Sequence, residues 1–334
     1  MCIRDRDVLE KSGKGSAMFK DVYPNPDEIS LAKGLEIYHA GGHDGVVGFG
    51  GGSALDLAKI IAFMSGQTRP VWDFEDIGDW WTRADPAGIA PIIAVPTTAG
   101  TGSEVGRAGI LTNSVDHIKK IIFHPKMLPS VVICDPELTI GLPPVITAGT
   151  GMDAFIHSFE AYCSPFYHPM SQGIALEGMK LVKDNLLRAY KDGTDIEARA
   201  HMMSAAAMGA VAFQKGLGGV HALSHPLGAV YNTPHGMTNA IALPAVVQFN
   251  RIAIEDRVLN LAAYLEIDGG FDGFFNWIVG YSRMLNVPEK MSALGVDREQ
   301  IDLLAKMAAE DPSAGGNPIK LTPEITRALY EEII

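Results

Sequence analysis

The stretch GLGGVHALSHPLGAVYNTPHG, residues 216–236, carries three histidines within fifteen residues of an otherwise apolar run punctuated by glycine and proline. His221 and His225 are four residues apart, so on a helix they share one face, one turn above the other. Pro226 predicts a break or bend in that helix. His235 follows a proline turn that returns the chain to the same neighbourhood. Because imidazole is a common ligand of zinc and iron, this stretch is a candidate metal site.

A second pair with helical spacing lies upstream. Asp153 and His157 are also four residues apart, which puts a carboxylate and an imidazole on one helical face. One Asp and three His would make a divalent-metal site with one position open for substrate. Spacing alone leaves two questions open, because such pairs also occur in ordinary helical cores and because both His221 and His225 could reach one ion.

Composition limits the classes of function. The chain has 334 residues, of which 47% are hydrophobic and 20% charged, enough for two globular domains. A net charge of −12 argues against nucleic acid or an anionic membrane as the main partner, and no apolar run approaches the length of a transmembrane span. Three cysteines at unrelated spacings indicate a reducing compartment, so we expect a cytoplasmic protein.

The first residues read differently from the rest of the chain. Residues 1–6, MCIRDR, resemble translated adapter sequence, and we interpret them as foreign to the natural protein. We therefore expect the natural chain to begin before Asp7 and this one to be truncated.

The first half of the chain alternates strand-like runs with helical patterns. Short apolar runs predict strands at residues 16–22, 44–49, 91–96, 119–123 and 131–134, and periodicity predicts a helix at residues 27–40. From Leu142 onward strand-like runs stop. Helices are predicted there at residues 151–162, 171–190, 196–213, 220–227, 238–249, 257–264, 274–284, 298–309 and 323–334. The predicted domains are residues 1–141, α/β, and residues 142–334, all helical.

A glycine-rich segment, GGGSALDLAK at residues 50–59, follows the strand at 44–49 and opens a helix that we expect to run to Met64. Glycines allow a tight turn and let backbone N–H groups approach an anion, to which the helix N-terminus adds partial positive charge. Strand, glycine-rich turn and helix form the context of a phosphate-binding loop. The segment is neither GxGxxG nor a P-loop, so a tight connection without a ligand stays an alternative.

A second loop rich in hydroxyls and glycines, residues 97–105, follows the strand at 91–96. Hydroxyls and free amides suit a ribose, an amide or a phosphate, although an ordinary Ser/Thr turn has the same composition. A lysine at the mouth of a nucleotide cleft, such as Lys119, would bind ribose or phosphate, whereas a lone surface lysine is usually just solvated.

These segments, in this order, resemble the iron-containing (group III) alcohol dehydrogenase family from about Asp7 to the end of the chain. The resemblance implies an α/β N-terminal nucleotide-binding domain, Rossmann-like but incomplete, followed by an all-α C-terminal domain, in an architecture like that of dehydroquinate synthase. It also implies that NAD(P) and a divalent metal bind in a cleft between the domains.

The resemblance assigns roles to individual residues. The implied metal ligands are Asp153, His157, His221 and His235. His225 matches a histidine beside the metal and nicotinamide that is not a ligand, and we expect it to relay the proton through a ribose hydroxyl or water. The implied cofactor-binding residues are Asn25, Gly51, Gly52, Ser53, Asp56, Thr97, Thr98, Thr101 and Lys119, with Lys120 in place of Lys119 if the register slips by one.

The chain departs from the family at its beginning. Roughly one βαβ unit, on the order of 30 residues or more, is expected to be missing. That unit would carry the acidic residue that holds the adenosine ribose, so NAD and NADP preference is unreadable.

The expected function is metal-dependent interconversion of a small primary or secondary alcohol and its aldehyde or ketone, by hydride transfer to or from NAD(P). Fe(II) is the expected metal and Zn(II) the runner-up, and the family implies a homodimer. An apolar pocket beside the metal is expected from Phe213, Leu217 and Val230, which would otherwise be plain core.

Two alternatives remain open. A lyase related to dehydroquinate synthase would need several phosphate-binding cations near the histidines, where the sequence offers only Lys215. An inactive, truncated nucleotide-binding protein is the other, although all four implied ligands are present.

Overall fold

The computed structural model describes residues 8–115 and 118–334, and the chain divides into two compact units. The first unit comprises the residues up to Pro96 together with Ser103–Ile133, and the second comprises Thr97–Gly102 and Cys134–Ile334. The boundary after residue 141 stays a prediction, and in this division residues 134–141 group with the helical unit. Residues 1–6, interpreted as foreign, lie outside the described residues.

The first unit is α/β. Its strands are β1 (Val46–Gly50), β2 (Ile92–Pro96), β3 (Ala108–Thr112), β4 (Lys119–Phe123) and β5 (Val131–Val132). Strands β1, β2 and β5 form a parallel sheet in the order β1-β2-β5, and β3 pairs with β4 as an antiparallel hairpin. Helix α1 (Glu28–Ala40) begins where the side chain of Asp27 accepts a hydrogen bond from Ser30 N, and α2 (Gly52–Met64) connects β1 to β2.

One strand prediction in this unit was wrong, and one strand was missed. Residues 16–22 form no strand. Strand β3 was not predicted, because its sequence AGILT includes a glycine that weakens the strand pattern. The structure explains that glycine: a Cβ on Gly109 would lie 2.9 Å from Asp56 O and 2.8 Å from Ile60 Cγ1. The hairpin can pack closely on α2 only because this side chain is absent.

A buried polar cluster fastens α2 to the hairpin. Lys59 is 1% exposed, and its ammonium group donates to Ser103 O at 2.9 Å and to Ala108 O. The carboxylate of Asp56 lies 3.2 Å from Lys59 Nζ and accepts hydrogen bonds from the Ser103 hydroxyl and from Ile110 N. Both buried charges are therefore paired and hydrogen-bonded, as the interior requires.

The second unit is helical, which confirms the predicted fold class of an α/β part followed by an all-α part. Its helices are α3 (Pro144–Cys163), α4 (Pro169–Lys191), α5 (Ile196–Ala212), α6 (Gly219–Tyr231), α7 (His235–Tyr264), α8 (Gly270–Met284), α9 (Ile301–Glu310) and α10 (Pro323–Ile333). Helix α7 joins two segments that were predicted as separate helices. Helix α6 continues through Pro226, so the predicted break is absent. A helix tolerates an internal proline when its packing offsets the lost hydrogen bond, and α6 is buried along most of its length.

Helix α3 runs through the core of this unit, with most of its residues from Thr147 to Cys163 buried. It approaches the beginning of α7 very closely: a Cβ on Gly236 would lie 2.2 Å from Gly149 O. Only glycine permits this approach, which sets Asp153 of α3 beside His235, the first residue of α7.

Candidate metal centre

Four side chains from three helices converge in the helical unit. Asp153 and His157 come from α3, His221 from α6 and His235 from α7. Each offers one donor atom, and these four atoms all lie within 4.8 Å of one another. Asp153 Oδ1 is 3.6 Å from His157 Nε2, 3.7 Å from His221 Nε2 and 3.5 Å from His235 Nε2.

This donor set fits a single metal ion. A tetrahedral site with bonds of about 2.1 Å has its donor atoms about 3.4 Å apart, close to the spacing observed around Asp153. One carboxylate and three imidazoles suit a first-row divalent ion such as iron or zinc. The side chains of Asp153, His157 and His221 are buried, whereas that of His235 is 36% exposed. The cluster is therefore most open on the side of His235.

The electrostatics favour ligand forms at two positions. Burial lowers the pKa of His157 to about 4, against an opposing effect of Asp153, so its imidazole is neutral near pH 7. Burial by itself would raise the pKa of Asp153, but His157, His235 and His221 together lower the pKa below its usual value. Asp153 is therefore ionised, and a neutral imidazole beside a carboxylate is ready to bind a cation.

The Nδ1 side of the His221 ring contacts a carboxylate that the sequence analysis did not identify. Its Nδ1 lies 2.6 Å from Oε2 of Glu160, which is buried on α3. Burial acts to lower the pKa of His221, but Glu160 and Asp153 outweigh it and raise the pKa to about 9. The ring thus presents Nε2 to Asp153 and the rest of the cluster.

Asn239 was also missed. Its Nδ2 donates to Asp153 Oδ1 at 2.8 Å and lies 3.2 Å from Nε2 of both His221 and His235. The residue is fully buried on α7, four residues after His235. A signal for Glu160 and Asn239 exists in helical spacing, because Glu160 follows His157 by three residues and Asn239 follows His235 by four.

His225 lies beside the cluster but outside the set of four donors. Its ring centroid is 5.7 Å from that of His221 and 5.6 Å from that of His235, with which it stacks. Its Nδ1 is 2.9 Å from Oδ2 of Asp311, a further residue that the sequence analysis missed. Burial would raise the pKa of Asp311, but His225 and hydrogen bonds from Ser313 lower it, so this carboxylate is ionised.

In the first unit, the predicted phosphate-binding loop has the expected local structure. Gly51 is the extended N-cap residue of α2, and Gly52 and Ser53 are the first residues of the helix. The N-cap residue is a glycine, so it has no side chain that could accept from the first-turn N–H groups. Gly50 has φ +147°, a conformation that favours glycine. The loop is therefore suited to an anion.

The carboxylate of Asp56 is bonded to other residues of the first unit. Its carboxylate is engaged by Lys59, the Ser103 hydroxyl and Ile110 N inside the first unit. These contacts give it a structural role in fixing α2 to the hairpin, and its predicted contact with a cofactor stays a prediction.

Asn25 and Lys119 lie near the same end of the hairpin. Asn25 has φ 56° in the turn before α1, and Thr112 N donates to the carbonyl of the next residue, Pro26, at 2.8 Å. Thr112 in turn pairs with Lys119 across the hairpin. Lys120 forms an ion pair with Glu75 at 3.0 Å.

The three predicted threonines belong to the helical unit. Thr97, Thr98 and Thr101 are partly exposed, whereas Ala99 and Gly100 between them are buried. The loop is thus anchored by its small residues and leaves the three hydroxyl-bearing side chains partly accessible.

Two family models match the chain. Residues 4–136 match the model described as iron-containing alcohol dehydrogenase, and residues 147–334 match the C-terminal model of the Fe-containing alcohol dehydrogenase family. Among curated proteins, 4-hydroxybutyrate dehydrogenase of Cupriavidus necator is 37% identical over 340 residues, covering 99% of this chain and 88% of that protein.

Solved structures agree with these matches. A crystal structure of 1,3-propanediol oxidoreductase has a TM-score of 0.94 at 33% identity, covering 100% of this chain and 88% of that chain. The sulfoacetaldehyde reductase of Bifidobacterium kashiwanohense, solved in complex with NAD+, has a TM-score of 0.88 at 31% identity, covering 99% of this chain and 88% of that one. The chain therefore belongs to the iron-containing alcohol dehydrogenase family and is an alcohol oxidoreductase.

Proposed function

We propose that this oxidoreductase interconverts a small alcohol and its aldehyde or ketone, using NAD(P) and a divalent metal held by Asp153, His157, His221 and His235. The observation that carries the proposal is the convergence of these four donor atoms within 4.8 Å of one another. Fe(II) is the proposed ion, in keeping with the family, and Zn(II) is the alternative, because both suit imidazole with one carboxylate.

A bound divalent ion would supply Lewis acidity that lowers the pKa of the alcohol, and NAD(P) would supply the hydride acceptor. The chain itself contributes the position and the protonation state of the ligand side chains. Ionised Asp153 adds one negative charge beside the imidazoles, and neutral His157 completes the donor set. The open side at His235 leaves room for a substrate oxygen.

His225 is the proposed proton carrier. Asp311 lies against Nδ1, which directs Nε2 as the atom available to accept a proton. A proton leaving the alcohol would reach Nε2 through a ribose hydroxyl or water, and the reverse transfer would serve aldehyde reduction. Asp311 would stabilise the imidazolium that forms, because it is an ionised partner whose side chain is only 11% exposed.

The residues proposed to bind NAD(P) are described for each unit by itself. In the first unit, the loop of Gly51, Gly52 and Ser53 at the uncapped N-terminus of α2 suits a pyrophosphate. Asn25 and Lys119, near one end of the hairpin, are further proposed contacts. The helical unit would supply the hydroxyls of Thr97, Thr98 and Thr101.

The proposed substrate class is a small aliphatic alcohol or diol. Relatives named for 4-hydroxybutyrate and 1,3-propanediol support this class. Phe213 lies beside the centre, with its ring centroid 4.9 Å from that of His157. Leu217 is partly buried and Val230 is 38% exposed, so their place in a substrate pocket stays a prediction.

The lyase alternative is not favoured by the matched proteins, which are dehydrogenases and reductases. Lys215 is also engaged elsewhere in the structure, because its buried ammonium group donates to the carbonyls of Ala161, Tyr162 and Ser164 at the end of α3.

Among residues 8–115 and 118–334, no helix has both the length and the apolar character that a membrane span needs. Cytoplasmic location and a homodimer stay predictions.

The test is NADH or NADPH formation from 1,3-propanediol, 4-hydroxybutyrate and ethanol, after the protein has been stripped with a chelator and reloaded with Fe(II) or Zn(II) under anaerobic conditions. We expect turnover with at least one alcohol that disappears on stripping and returns on reloading. Metal-independent turnover would contradict the proposal.

A further inference from the structure

The proposed chemistry leaves one buried carboxylate of the helical unit unused. Glu160 lies on α3, seven residues after Asp153 and three after His157, so one stripe of this helix carries all three side chains. It is 5% exposed. A carboxylate in this position requires partners for both oxygens, because an unpaired buried charge is strongly destabilising.

Both oxygens of Glu160 have partners, and the two partners are different groups. Oε1 accepts a hydrogen bond from Val220 N at 2.7 Å, and Oε2 is 2.6 Å from Nδ1 of His221. The first contact caps α6, whose N-cap residue Gly218 has no side chain to do so. The second contact, to Nδ1, orients the imidazole of His221, the residue after Val220.

The polarity of the second contact follows from chemistry. A neutral imidazole that binds a metal through Nε2 must carry its proton on Nδ1, and a carboxylate facing Nδ1 accepts that proton in a hydrogen bond. His221 presents Nε2 to Asp153, so its Nδ1 is the nitrogen that must donate. A single residue on α3 thereby sets both the end of α6 and the orientation of its first histidine.

We propose that Glu160 is a positioning residue for the metal centre, holding His221 as the Nδ1–H tautomer with Nε2 directed at the ion. The inference rests on the proposed metal site, which it deepens. It adds a second buried carboxylate to that of Asp153, so a divalent ion with neutral histidines would leave the buried centre with no net charge.

The substitution Glu160→Gln separates this role from packing, because Gln has the same shape but only one acceptor oxygen. When His221 binds metal, that oxygen must face Nδ1–H, which leaves the amide NH2 against the N–H of Val220. The alternative amide orientation satisfies Val220 but asks Nδ1 to accept, which moves the imidazole proton to Nε2, the atom needed for the ion. Either way the variant loses one of the two contacts when metal binds.

The experiment measures Zn(II) affinity by competition with a chelator, for the wild type and for Glu160→Gln. We expect the affinity to fall by about 10- to 100-fold, the usual effect of removing the partner of a ligating histidine. Unchanged affinity in the folded variant would overturn the proposal.

A matched control uses the neighbouring cap of the same helix. Asn317 is buried, and its Oδ1 accepts a hydrogen bond from Gly219 N, at the same helix end, at 3.0 Å. We expect Asn317→Ala to lower stability against urea while leaving Zn(II) affinity unchanged. An equal loss of affinity in both variants would mean that only the end of α6 matters, and would also overturn the proposal.

A direct readout on the wild type covers the case in which Glu160→Gln does not fold. In the Zn(II)-saturated protein, the Nδ1 proton of His221 should give a strongly downfield NMR resonance, assigned by its loss in His221→Asn. Absence of that resonance in the metal-loaded wild type would contradict the role of Glu160. Failure of the wild type to take up Zn(II) at all would instead refute the proposed metal site.

Discussion

His157 and His221 are both buried in the same cluster, yet their surroundings act on them in opposite directions. Burial lowers the pKa of His157 to about 4, whereas Glu160 and Asp153 overcome burial and raise the pKa of His221 to about 9. The difference lies in the contact at Nδ1, because of these two rings it is His221 that has a carboxylate there, that of Glu160. Two histidines of the same cluster therefore have opposite pKa shifts because their neighbours differ.

The amide of Asn239 allows a test of charge at the centre. Its Nδ2 is 2.8 Å from Asp153 Oδ1, so Asn239→Asp would place two buried carboxylates side by side. We expect the metal-free variant to lose about 3 kcal/mol or more in the free energy of unfolding. Zn(II) should recover part of this loss, as urea denaturation with and without the ion would show.

The control for that prediction is Asn239→Leu, which removes the donor without adding charge. We expect it to be destabilised by about 1–3 kcal/mol, with no larger recovery on adding Zn(II) than the wild type shows. A metal-free Asn239→Asp protein as stable as the wild type would contradict the observed contact.

At the residue scale, the sequence predicted which side chains lie together when they are four residues apart on one helix. Asp153 with His157 is such a pair, and the structure does place their donor atoms together. The partners missed were those whose contacts join different helices, as Glu160 on α3 does with His221 on α6. A helical pattern says which face a residue shares, but not which other helix will cross that face.

At the scale of elements, the crossing of α3 and α7 decides where the ligands meet. We expect Gly236→Ala to be destabilising by about 1–3 kcal/mol, because the added Cβ would lie 2.2 Å from Gly149 O. The same change should weaken metal binding, since the shift would move His235 away from Asp153. Urea denaturation and metal content would measure the two effects.

Gly280 on α8 provides the matched control, because nothing lies within 4 Å of a Cβ built there. Gly280→Ala should be neutral or stabilising by up to about 1 kcal/mol, as expected for glycine in a helix interior. If both variants behaved alike, the close approach of α3 and α7 would not be what sets the stability at Gly236.

The buried ion pair of the first unit gives a second prediction at this scale. Lys59→Met would remove the cation that lies 3.2 Å from the Asp56 carboxylate and leave that charge buried. We expect a loss of about 3–5 kcal/mol in the free energy of unfolding of this unit. Lys59→Met combined with Asp56→Leu should regain much of it, and an additive loss in the double variant would contradict the pairing.

Helices and strands were predicted correctly where the sequence has one clear hydrophobic periodicity. The predictions failed where tertiary contacts outweighed the local pattern. Helix α2 after the glycine triplet was predicted correctly to its end at Met64. Strand β3 was missed, because its interior glycine serves close packing against α2. A break or bend at Pro226 was predicted from local chemistry; there is no break, because the buried surroundings of α6 let the helix continue through the proline.

At the scale of the whole molecule, the fold class followed from the change of pattern near Leu142, and the matched relatives span nearly the whole chain. The chain covers 88% of the length of 4-hydroxybutyrate dehydrogenase and of the 1,3-propanediol oxidoreductase structure. The substrate could not be predicted in the same way, since it depends on pocket shape rather than on periodicity.

Metal content, measured by elemental analysis after anaerobic purification of the wild type and of His235→Ala, shows whether the four side chains hold an ion. His235 is the most exposed of the four proposed ligands, so its removal should leave the fold intact. We predict near-stoichiometric iron or zinc in the wild type, and loss of metal together with alcohol-dependent NAD(P)H formation in the variant. A folded wild type without metal, or a variant that kept both metal and activity, would rule out this metal site.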